Sequence, residues 1–380
     1  MTSTLEHPLL QKELAAEEAR GILDLTPQGN GALRVRGDRP SPDDVVVPAA
    51  LIRRHGLRRG DAVEGLCDRP RTLSTVERVN GLSPQALRGR PHFRDLTPLH
   101  PGQRLRLETP SGGPAMRLVD LVAPIGKGQR GLLVAPPRTG KTVLLQQIAA
   151  ALAENHPECR LMVVLIDERP EEVTDMRRSV RGEVLASTFD RPAKEHIALA
   201  GLAVERAKRL VEQGQDVVIL LDSLTRLCRA HNNASAAGGR TLSGGVDAAA
   251  LLGPKQFFGA ARRAEEGGSL TILATALVET GSRADDYFFE ELKSTGNMEL
   301  RLDRRLAEKR IHPAVNIPAS GTRREELLVP EGELRTIRGL RRALHAREPQ
   351  NALETLLDRI RRTPDNAAFL RAVHRTVPEA

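Results

Sequence analysis

The chain has 380 residues and a net charge of +8, with 40% hydrophobic and 28% charged residues, a composition typical of soluble proteins with two or three domains. No run of 18 apolar residues and no basic segment followed by an apolar block occurs, so the sequence predicts neither a membrane span nor a secretion signal. Three widely separated cysteines exclude a disulfide framework and a zinc site and favour a reducing cytoplasm, while the basic balance permits a nucleic-acid partner.

The first part of the chain shows three patterns in succession. Residues 1–20 carry a few leucines among polar residues, which predicts a short helical arm, although a frayed tail fits equally well. Residues 21–90 alternate short apolar pieces with turn signals rich in Gly, Pro, Asn and Asp, which predicts a small all-β barrel. Residues 91–118 are rich in Pro and Gly and keep no period, so they predict a connector.

From about residue 119 the pattern changes to apolar strands that alternate with helices. The predicted strands are residues 131–136, 160–167, 216–222 and 269–277. The predicted helices include residues 141–154 and 193–213, and residues 333–375 predict two or three amphipathic helices. Nearly continuous apolar strands separated by helices predict an α/β fold with a parallel sheet covered on both faces.

The strongest local signal is APPRTGKT, residues 135–142, which follows a predicted strand and opens a predicted helix. In a phosphate-binding loop, backbone N–H groups hold phosphates, a lysine reaches the β- and γ-phosphates, and a hydroxyl binds Mg²⁺. Lys141 and Thr142 occupy those two positions, whereas Ala135 replaces the first glycine of the general pattern. The segment predicts nucleotide binding, and the alternative is a chance Gly-Lys-Thr in a strand-to-helix turn.

Two acidic residues follow other predicted strands, at the edge where a doubly wound sheet binds ligands. Asp222 ends the run VVILLD and is expected to order the water shell of Mg²⁺. Glu168 lies in the segment DERPEE, and a carboxylate there can polarise the attacking water. Taken alone, this segment also fits the solvated start of a helix.

Together these segments resemble the family of bacterial Rho transcription termination factors, over about residues 21–375. The specific stretches are LTPLHPGQRLRLE, VAPIGKGQRGLLVAPPRTGKT, LIDERPEEVTDM, GEVLASTFDRPA, VVILLDSLTRLCRA, GGVDAAAL, FFGAARRAEEGGSLTILATALVETGS, GNMELRLDRRLAEKR and GTRREELL. The resemblance implies an OB- or cold-shock-like RNA-binding barrel at residues 21–90 and a RecA-like P-loop ATPase domain with C-terminal helices at residues 119–380. It also implies ATP and Mg²⁺ as cofactors, a homohexamer, and RNA and the RNA polymerase elongation complex as partners.

The resemblance implies roles for individual residues at the nucleotide. The nucleotide-binding set is Arg138, Thr139, Gly140, Lys141, Thr142, Val143 and His312, and the metal-binding set is Thr142 and Asp222. The catalytic set is Lys141, Glu168, Arg169, Arg310 and Arg323. Glu168 would activate water, Arg323 would reach into the adjacent subunit's site as an arginine finger, and Arg310 would be a second cation there. Arg169 would couple the nucleotide state to the ring, and His312 stands where the family often has an aromatic residue against adenine.

The resemblance also implies an RNA path through the barrel and two pore loops. The RNA-binding residues are Arg34 in the barrel, Arg240, Thr241 and Gly244 in the first loop, and Thr280, Gly281 and Arg283 in the second. The barrel departs from the family because base-stacking aromatic residues are missing at Asn30, Ala32 and Val46 and at Arg71 and Thr72. Since stacking contributes about 1–3 kcal/mol per base, we expect weaker, salt-sensitive and sequence-tolerant RNA binding.

The function predicted from these residues is that of an ATP hydrolase and 5′→3′ RNA and RNA–DNA helicase in transcription termination. An alternative is a diverged Rho-like ATPase that keeps hydrolysis but has a weakened primary RNA site and acts as a regulator. A third interpretation is a related ring ATPase, such as a rotary synthase subunit or a secretion ATPase. The segment DERPEE and the barrel that precedes the ATPase pattern argue against this third interpretation.

Overall fold

The structure is a computed structural model that describes residues 17–26, 29–36, 40–235 and 241–375 of the chain. The chain divides into two units, residues 1–89 and residues 90–380. No helix among the described residues is long and apolar enough to cross a lipid bilayer.

The first unit is a closed five-stranded barrel. Its elements are β1 (Glu17–Leu25), β2 (Gly31–Arg34), β3 (Val45–Val47), α1 (Ala49–His55), β4 (Ala62–Arg69), β5 (Thr72–Val79) and a 3₁₀ turn (Pro84–Leu87). Around the barrel the strands follow the order β1-β2-β3-β5-β4. Alternate residues of these strands point inward, where Leu23, Leu33 and Val47 are fully buried. Gly65 passes close to β5, and a Cβ atom there would lie 2.0 Å from the carbonyl oxygen of Thr75, so only glycine fits.

The barrel contradicts the predicted helical arm, residues 1–20, at its last four residues. Residues 1–16 lie outside the described residues, and residues 17–20 form the first part of β1. Within β1, residues 17–22 pair antiparallel with residues 62–67 of β4. Pairing with a strand far along the chain outweighs the helix propensity of Glu-Glu-Ala-Arg, and a local pattern cannot reveal such a partner.

The second unit is built around one large sheet with helices on both faces. Its strands are β6 (Pro98–Leu99), β7 (Arg104–Leu105), β8 (Ile125–Gly126), β9 (Arg130–Ala135), β10 (Arg160–Glu168), β11 (Glu183–Thr188), β12 (Asp216–Asp222), β13 (Thr241–Leu242), β14 (Val246–Asp247), β15 (Arg262–Ala264), β16 (Ser269–Leu277), β17 (Met298–Arg301) and β18 (Gly321–Thr322). Its α-helices are α2 (Gly113–Val122), α3 (Lys141–Asn155), α4 (Pro170–Ser179), α5 (Ala193–Val211), α6 (Leu224–Ala234), α7 (Leu252–Gly259), α8 (Arg283–Lys293), α9 (Arg304–Glu308), α10 (Glu331–His345), α11 (Pro349–Arg361) and α12 (Asn366–His374). Short 3₁₀ turns cover Phe93–Asp95, Ser243–Gly245 and Glu325–Leu327. The main sheet has the order β11-β10-β12-β16-β9-β17-β18, in which neighbours are parallel except β17 and β18.

The sheet separates two apolar cores, because neighbouring residues of each strand point to opposite faces. Val163 and Leu165 of β10 pack in the core that contains α3, whereas Val164 and Ile166 pack in the core that contains α5. These strands are buried on both faces, which explains their nearly continuous apolar sequences. The predicted fold class, a small all-β barrel followed by an α/β unit with a parallel sheet covered on both faces, is confirmed.

The segment predicted as a connector, residues 91–118, is part of the second unit. β6 pairs with β15, which joins it to the main sheet, and the Phe93 N–H donates to the buried carboxylate of Glu212. The last part of the segment begins α2, in which residues 115–122 are all buried. Pro114 lies in the first turn of this helix, where proline is tolerated, so a Pro- and Gly-rich sequence conceals a helix start.

Arg117 of α2 ties this helix to the C-terminal helices. Its buried guanidinium donates to the carbonyl oxygens of Ile360 at 2.7 Å and Thr363 at 2.6 Å. It also donates to the side chains of Thr363 at 2.8 Å and Asn366 at 3.2 Å. Glu108 completes the site as an ion-pair partner at 3.3 Å. One side chain therefore fixes the packing of α2 against the segment between α11 and α12.

We expect Arg117→Leu to lower the free energy of unfolding by about 3–5 kcal/mol, because it leaves Glu108 without its cation and removes the hydrogen bonds that the guanidinium donates to Ile360, Thr363 and Asn366. Equilibrium urea denaturation followed by far-ultraviolet circular dichroism measures the loss. Arg335→Leu on α10 is the control, since its side chain is 75% exposed and the expected change is within about 0.5 kcal/mol. An Arg117→Leu protein as stable as that control would contradict the role assigned to Arg117.

Candidate active site and nucleic-acid interface

The loop between β9 and α3 has the geometry of a phosphate-binding loop. β9 ends at Ala135 and α3 begins at Lys141. Thr139 is buried, and its hydroxyl donates to the carbonyl of Pro136 at 2.8 Å, which closes the turn. Gly140 has a φ of +90°, a conformation that favours glycine. The loop leads directly into the N-terminus of α3, where backbone N–H groups and the helix dipole bind anions.

A cation, carboxylates and a hydroxyl converge beyond the ends of β9, β10 and β12. The Nζ of Lys141 lies 2.5 Å from Asp222 Oδ1 and 3.8 Å from Glu168 Oε2. The Thr142 hydroxyl donates to Glu172 Oε2 at 3.2 Å. This is the edge of a parallel sheet at which ligands bind. The structure therefore brings Lys141, Thr142, Glu168 and Asp222 together, as the sequence predicts for residues that share one nucleotide.

Glu168 is buried beside these groups. Only 3% of its surface is exposed, and burial, followed by the negative charge of Asp222, raises the pKa of its carboxyl. Lys141 and Arg226 oppose that shift, and Arg226 Nη1 lies 3.1 Å from Glu168 Oε2. Arg169 is exposed at the N-cap of α4, and its backbone N–H donates to Glu168 Oε1 at 3.3 Å. A buried carboxylate with a raised pKa is suited to accept a proton.

The sequence patterns do not identify Glu172, Thr275 or Arg226 as site residues. Thr275 lies on the neighbouring strand β16 and donates to Asp222 Oδ1 at 2.8 Å. Arg226 lies in the first turn of α6, and its backbone N–H donates to the N-cap hydroxyl of Ser223 at 3.2 Å. The sequence does hold a signal for two of them, since Glu172 lies within DERPEE and Arg226 follows Asp222 by about one helical turn.

The oxygen donors around Lys141 fit Mg²⁺. The Thr142 hydroxyl and the Asp222 carboxylate are hard ligands of the kind that Mg²⁺ uses together with water and substrate phosphates. The described residues contain no cluster of three or more His, Cys, Asp or Glu side chains that could hold a metal ion.

The remaining nucleotide-binding candidates lie on or beside the loop. His312 lies next to Gly140, with its Nδ1 3.8 Å from the position of a Cβ atom at that glycine. Arg138 is exposed, and Val143 in the first turn of α3 is 57% exposed. His312 is therefore near enough to the loop for the nucleobase of a nucleotide whose phosphates lie at that loop to contact it.

Arg323 lies at the opposite edge of the sheet from the phosphate-binding loop. It follows β18, in which Thr322 pairs with Met298, and Met298 pairs with Gly131 at the start of β9. The loop follows the other end of β9, about 15 Å away at about 3.3 Å per residue. Arg323 therefore lies away from the nucleotide site of its own chain. There it lines a groove of about 480 Å³ together with residues of β17 and β18.

Within one chain the structure places Arg310 and Arg323 apart, so these two arginines do not flank the same nucleotide site of that chain, and the role predicted for Arg310 stays a prediction. Arg310 follows α9 and precedes His312, near the end of β17 where the Leu302 N–H donates to the Val134 carbonyl at 2.8 Å. From there the chain returns along β17 and reaches Arg323 beyond its other end. The segment between the two arginines spans the length of a strand, which their closeness in sequence conceals.

The two segments predicted to bind RNA lie against each other where they are described. Arg240 and the side chain of Thr241 lie outside the described part of the chain. Gly244 packs on the backbone of Arg283, where a Cβ atom at Gly244 would lie 3.0 Å from the carbonyl of Arg283. Gly281 has a φ of +77°, and the Arg283 side chain is exposed. These residues therefore share one surface, and its predicted role in RNA binding stays a prediction.

Asp285 of α8 anchors the second of these segments. The Thr280 hydroxyl donates to Asp285 Oδ2 at 2.6 Å, and Arg229 of α6 pairs with the same carboxylate at 2.5 Å. The helix α6 also carries Arg226, which contacts Glu168. One helix thus contacts both the buried glutamate and the anchor of an RNA-binding candidate loop.

The expected base-stacking positions of the barrel form one outer patch. Ala32 pairs with Val46, and Val46 pairs with Thr72, so three side chains are neighbours across β2, β3 and β5. Val46 is 48% exposed. A patch of small and aliphatic side chains covers a nucleobase weakly, since it offers no aromatic face.

Arg34 lies near this patch, but its guanidinium forms ion pairs with two carboxylates. Its guanidinium pairs with Asp24 at 2.7 Å and with Asp44 at 2.6 Å. Burial raises the pKa of Asp24, but hydrogen bonds from Arg34 and Arg59 outweigh burial and hold the pKa below its ordinary value. The structure places Arg34 inside an ion-pair network, so a phosphate contact would require part of that network to open.

Comparison with solved structures gives the fold. An ATPase from the type III secretion system of pathogenic bacteria has a TM-score of 0.62 and 23% identity, over 74% of this chain and 87% of that chain. An ATP synthase subunit from Nanoarcheaum equitans has a TM-score of 0.57 and 16% identity, over 66% of this chain and 63% of that chain. At these identities the likeness establishes a shared fold and no more.

Comparison with protein families and relatives covers both units. The family described as Rho termination factor, RNA-binding domain, matches residues 19–85, and the ATP synthase alpha/beta family, nucleotide-binding domain, matches residues 115–322. A transcription termination factor Rho from Streptomyces coelicolor is 71% identical, over 100% of this chain and 91% of the relative. The Rho factor of Streptosporangium roseum is 61% identical, over 95% of this chain and 93% of the relative. The Rho factor of Streptomyces lividans is 56% identical, over 98% of this chain and 54% of the relative. The chain therefore belongs to the family of Rho transcription termination factors.

Proposed function

We propose that this chain is an RNA-dependent ATPase and 5′→3′ helicase that acts in transcription termination. The observation that carries the proposal is the meeting of Lys141, Glu168 and Asp222 at the ligand edge of the sheet. The same chain carries a barrel that matches an RNA-binding domain. ATP is the proposed substrate, with Mg²⁺ as its cofactor.

Different residues of the chain would bind the phosphates, orient the attacking water and hold the metal ion during hydrolysis. Lys141 and the N-terminus of α3 would hold the β- and γ-phosphates, and Lys141 would exchange its contact with Asp222 for phosphate oxygens. Glu168 would orient a water molecule in line with the γ-phosphate and accept its proton. Thr142 and Asp222 would hold Mg²⁺, which neutralises charge on phosphate oxygens when bound.

We propose that the active form is a homohexameric ring. Arg323 lies at the sheet edge opposite to the nucleotide loop, so in this proposal a neighbouring copy supplies the arginine that stabilises the transition state. Head-to-tail contacts of this kind close into rings. The surface around Gly244 and Arg283 would face the pore and hold the nascent transcript. The proposed partners are RNA and the RNA polymerase elongation complex, and the proposed location is the cytoplasm.

The test is ATP hydrolysis by the purified chain without RNA and with poly-cytidine, poly-uridine or mixed RNA. RNA is expected to stimulate hydrolysis, and the polymers are expected to do so within about threefold of one another, because the barrel patch lacks aromatic residues. Lys141→Ala is the control that loses hydrolysis. Hydrolysis absent with every RNA would contradict the ATPase proposal, and hydrolysis indifferent to RNA would contradict the RNA dependence.

Val46→Tyr is expected to raise the affinity of the chain for oligo-cytidine by about 5- to 150-fold, because an aromatic face at this position adds about 1–3 kcal/mol of stacking. Fluorescence anisotropy at one fixed salt concentration measures the dissociation constant. Leu82→Tyr is the matched control, since Leu82 is 45% exposed and lies beyond the opposite end of β5 from Thr72. Equal affinities of the two variants would contradict the assignment of the patch as an RNA-binding surface.

A further inference from the structure

Asp167, the residue before Glu168, interrupts the regular geometry of β10. Its φ of +58° lies in the left-handed region, which non-glycine residues rarely adopt and which aspartate tolerates better than most. Against β11, Ile166 pairs with Ser187 and Glu168 pairs with Thr188. Two residues of β10 therefore advance past one residue of β11, and Asp167 is the extra residue of a β-bulge.

The bulge changes the face of the sheet to which Glu168 points. In the regular part of β10, Leu165 faces the core that contains α3 and Ile166 faces the core that contains α5. Uninterrupted alternation would put Glu168 on the same face as Ile166, beside α5. The extra residue shifts the alternation by one position, and Glu168 Oε2 lies 3.8 Å from the Nζ of Lys141 on α3.

Side chains from two helices lie beside Asp167. Arg226 of α6 donates from Nη1 to the carbonyl oxygen of Asp167, and its Nε lies 3.9 Å from Asp167 Oδ2. His196 of α5 has its Nε2 4.0 Å from Asp167 Oδ1 and its Nδ1 2.7 Å from the Ser187 hydroxyl. The same Nη1 of Arg226 lies 3.1 Å from Glu168, so one guanidinium contacts the bulge residue and the glutamate that follows it.

We propose that Asp167 is a positioning residue for ATP hydrolysis, and that its left-handed conformation, fixed by Arg226 and His196, aims the Glu168 carboxylate at the nucleotide. The inference rests on the proposed function, because it takes Glu168 as the proton acceptor. Asp167 points toward α5 rather than toward Lys141. Its substitution should therefore lower the rate of the chemical step and leave nucleotide binding unchanged.

The experiment compares Asp167→Asn with Asp167→Val in this chain, with RNA present. Asparagine tolerates a left-handed backbone and keeps the shape of aspartate, whereas β-branched valine resists that conformation. We expect the asparagine variant to keep kcat within about threefold of wild type and the valine variant to lose at least about 30-fold. The dissociation constant of a fluorescent ATP analogue should stay within about twofold of wild type in both.

Repeating the valine substitution in a Glu168→Gln background separates a positioning defect from a general structural defect. If Asp167 acts through Glu168, the valine substitution lowers the residual rate by less than about threefold, since no base remains to be misplaced. Asp167→Ala takes the place of the valine variant if circular dichroism shows that the latter does not fold.

Two results would overturn the inference and leave the proposed function standing. One is a valine variant as active as the asparagine variant, and the other is an equal loss in the wild-type and Glu168→Gln backgrounds. A wild-type chain that does not hydrolyse ATP with any RNA overturns the proposed function and the inference together.

Discussion

Replacing Glu168 by glutamine is expected to lower the RNA-stimulated kcat by about 10²- to 10⁴-fold, the usual contribution of a general base. Glutamine keeps the length and polarity of the side chain but cannot accept a proton from water at neutral pH. The phosphate-binding groups, Lys141 and the start of α3, are untouched by the change. The dissociation constant for ATP should therefore stay within about threefold of the wild-type value.

The measurement combines steady-state hydrolysis at saturating RNA with the binding of a fluorescent ATP analogue. Glu171→Gln is the matched control, because it makes the same chemical change at an exposed position of α4, three residues further along the chain. It should leave kcat within about twofold of wild type. A Glu168→Gln enzyme that keeps more than about a third of the wild-type kcat would remove Glu168 from the catalytic role.

The same residue sets the expected pH dependence of hydrolysis. Burial and the charge of Asp222 raise the pKa of Glu168, whereas an exposed glutamate has a pKa of about 4.3. The ionised form is the proton acceptor, so kcat should fall as the pH drops through the raised pKa. In a plot of kcat against pH, measured at saturating ATP, the midpoint of the acid limb should accordingly lie at a higher pH than the pKa of an exposed glutamate. An acid limb at or below that value would contradict the assignment.

The sheet and the core of the site can be predicted from the sequence, because each signal lies within one short stretch. The strands are continuous apolar runs, and Lys141 stands in a loop that a strand and a helix enclose. Asp222 and Glu168 follow from the rule that parallel strands end at the same edge of a sheet. Thr275 cannot be predicted in this way, because it reaches Asp222 only through the pairing order of β12 and β16.

Other features depend on relations between distant residues or on backbone conformation. Residues 17–20 form a strand because β4 lies beside them, and no residue pattern within the segment indicates that pairing. The bulge at Asp167 carries no glycine, so the sequence gives no sign that alternation is interrupted there. Arg310 and Arg323 are close in sequence but lie toward opposite ends of β17, which only the return of the chain along that strand explains.

Replacing Arg323 by alanine is expected to lower kcat by about 10³- to 10⁵-fold, the range attributed to an arginine that stabilises the charge of a phosphoryl-transfer transition state. Arg323 lies at the sheet edge opposite to the phosphate-binding loop of its own chain, and in the proposed ring the nucleotide that it serves belongs to a neighbouring copy. ATP binding to an isolated chain should remain within about threefold of wild type. Arg335→Ala, at an exposed position of α10, is the control and should keep full activity.

Mixing two inactive variants tests whether the arginine acts across an interface. The Arg323→Ala chain keeps an intact phosphate-binding loop, and a Lys141→Ala chain keeps Arg323. In a ring assembled from equal amounts of both, about a quarter of the interfaces would join an intact loop to an intact arginine. Single-turnover hydrolysis should therefore appear in the mixture although each variant alone is inactive. Recovery would show that the site is completed by a second copy of the chain. A mixture that stays as inactive as its components, with rings confirmed by native mass spectrometry, would contradict an arginine acting in trans.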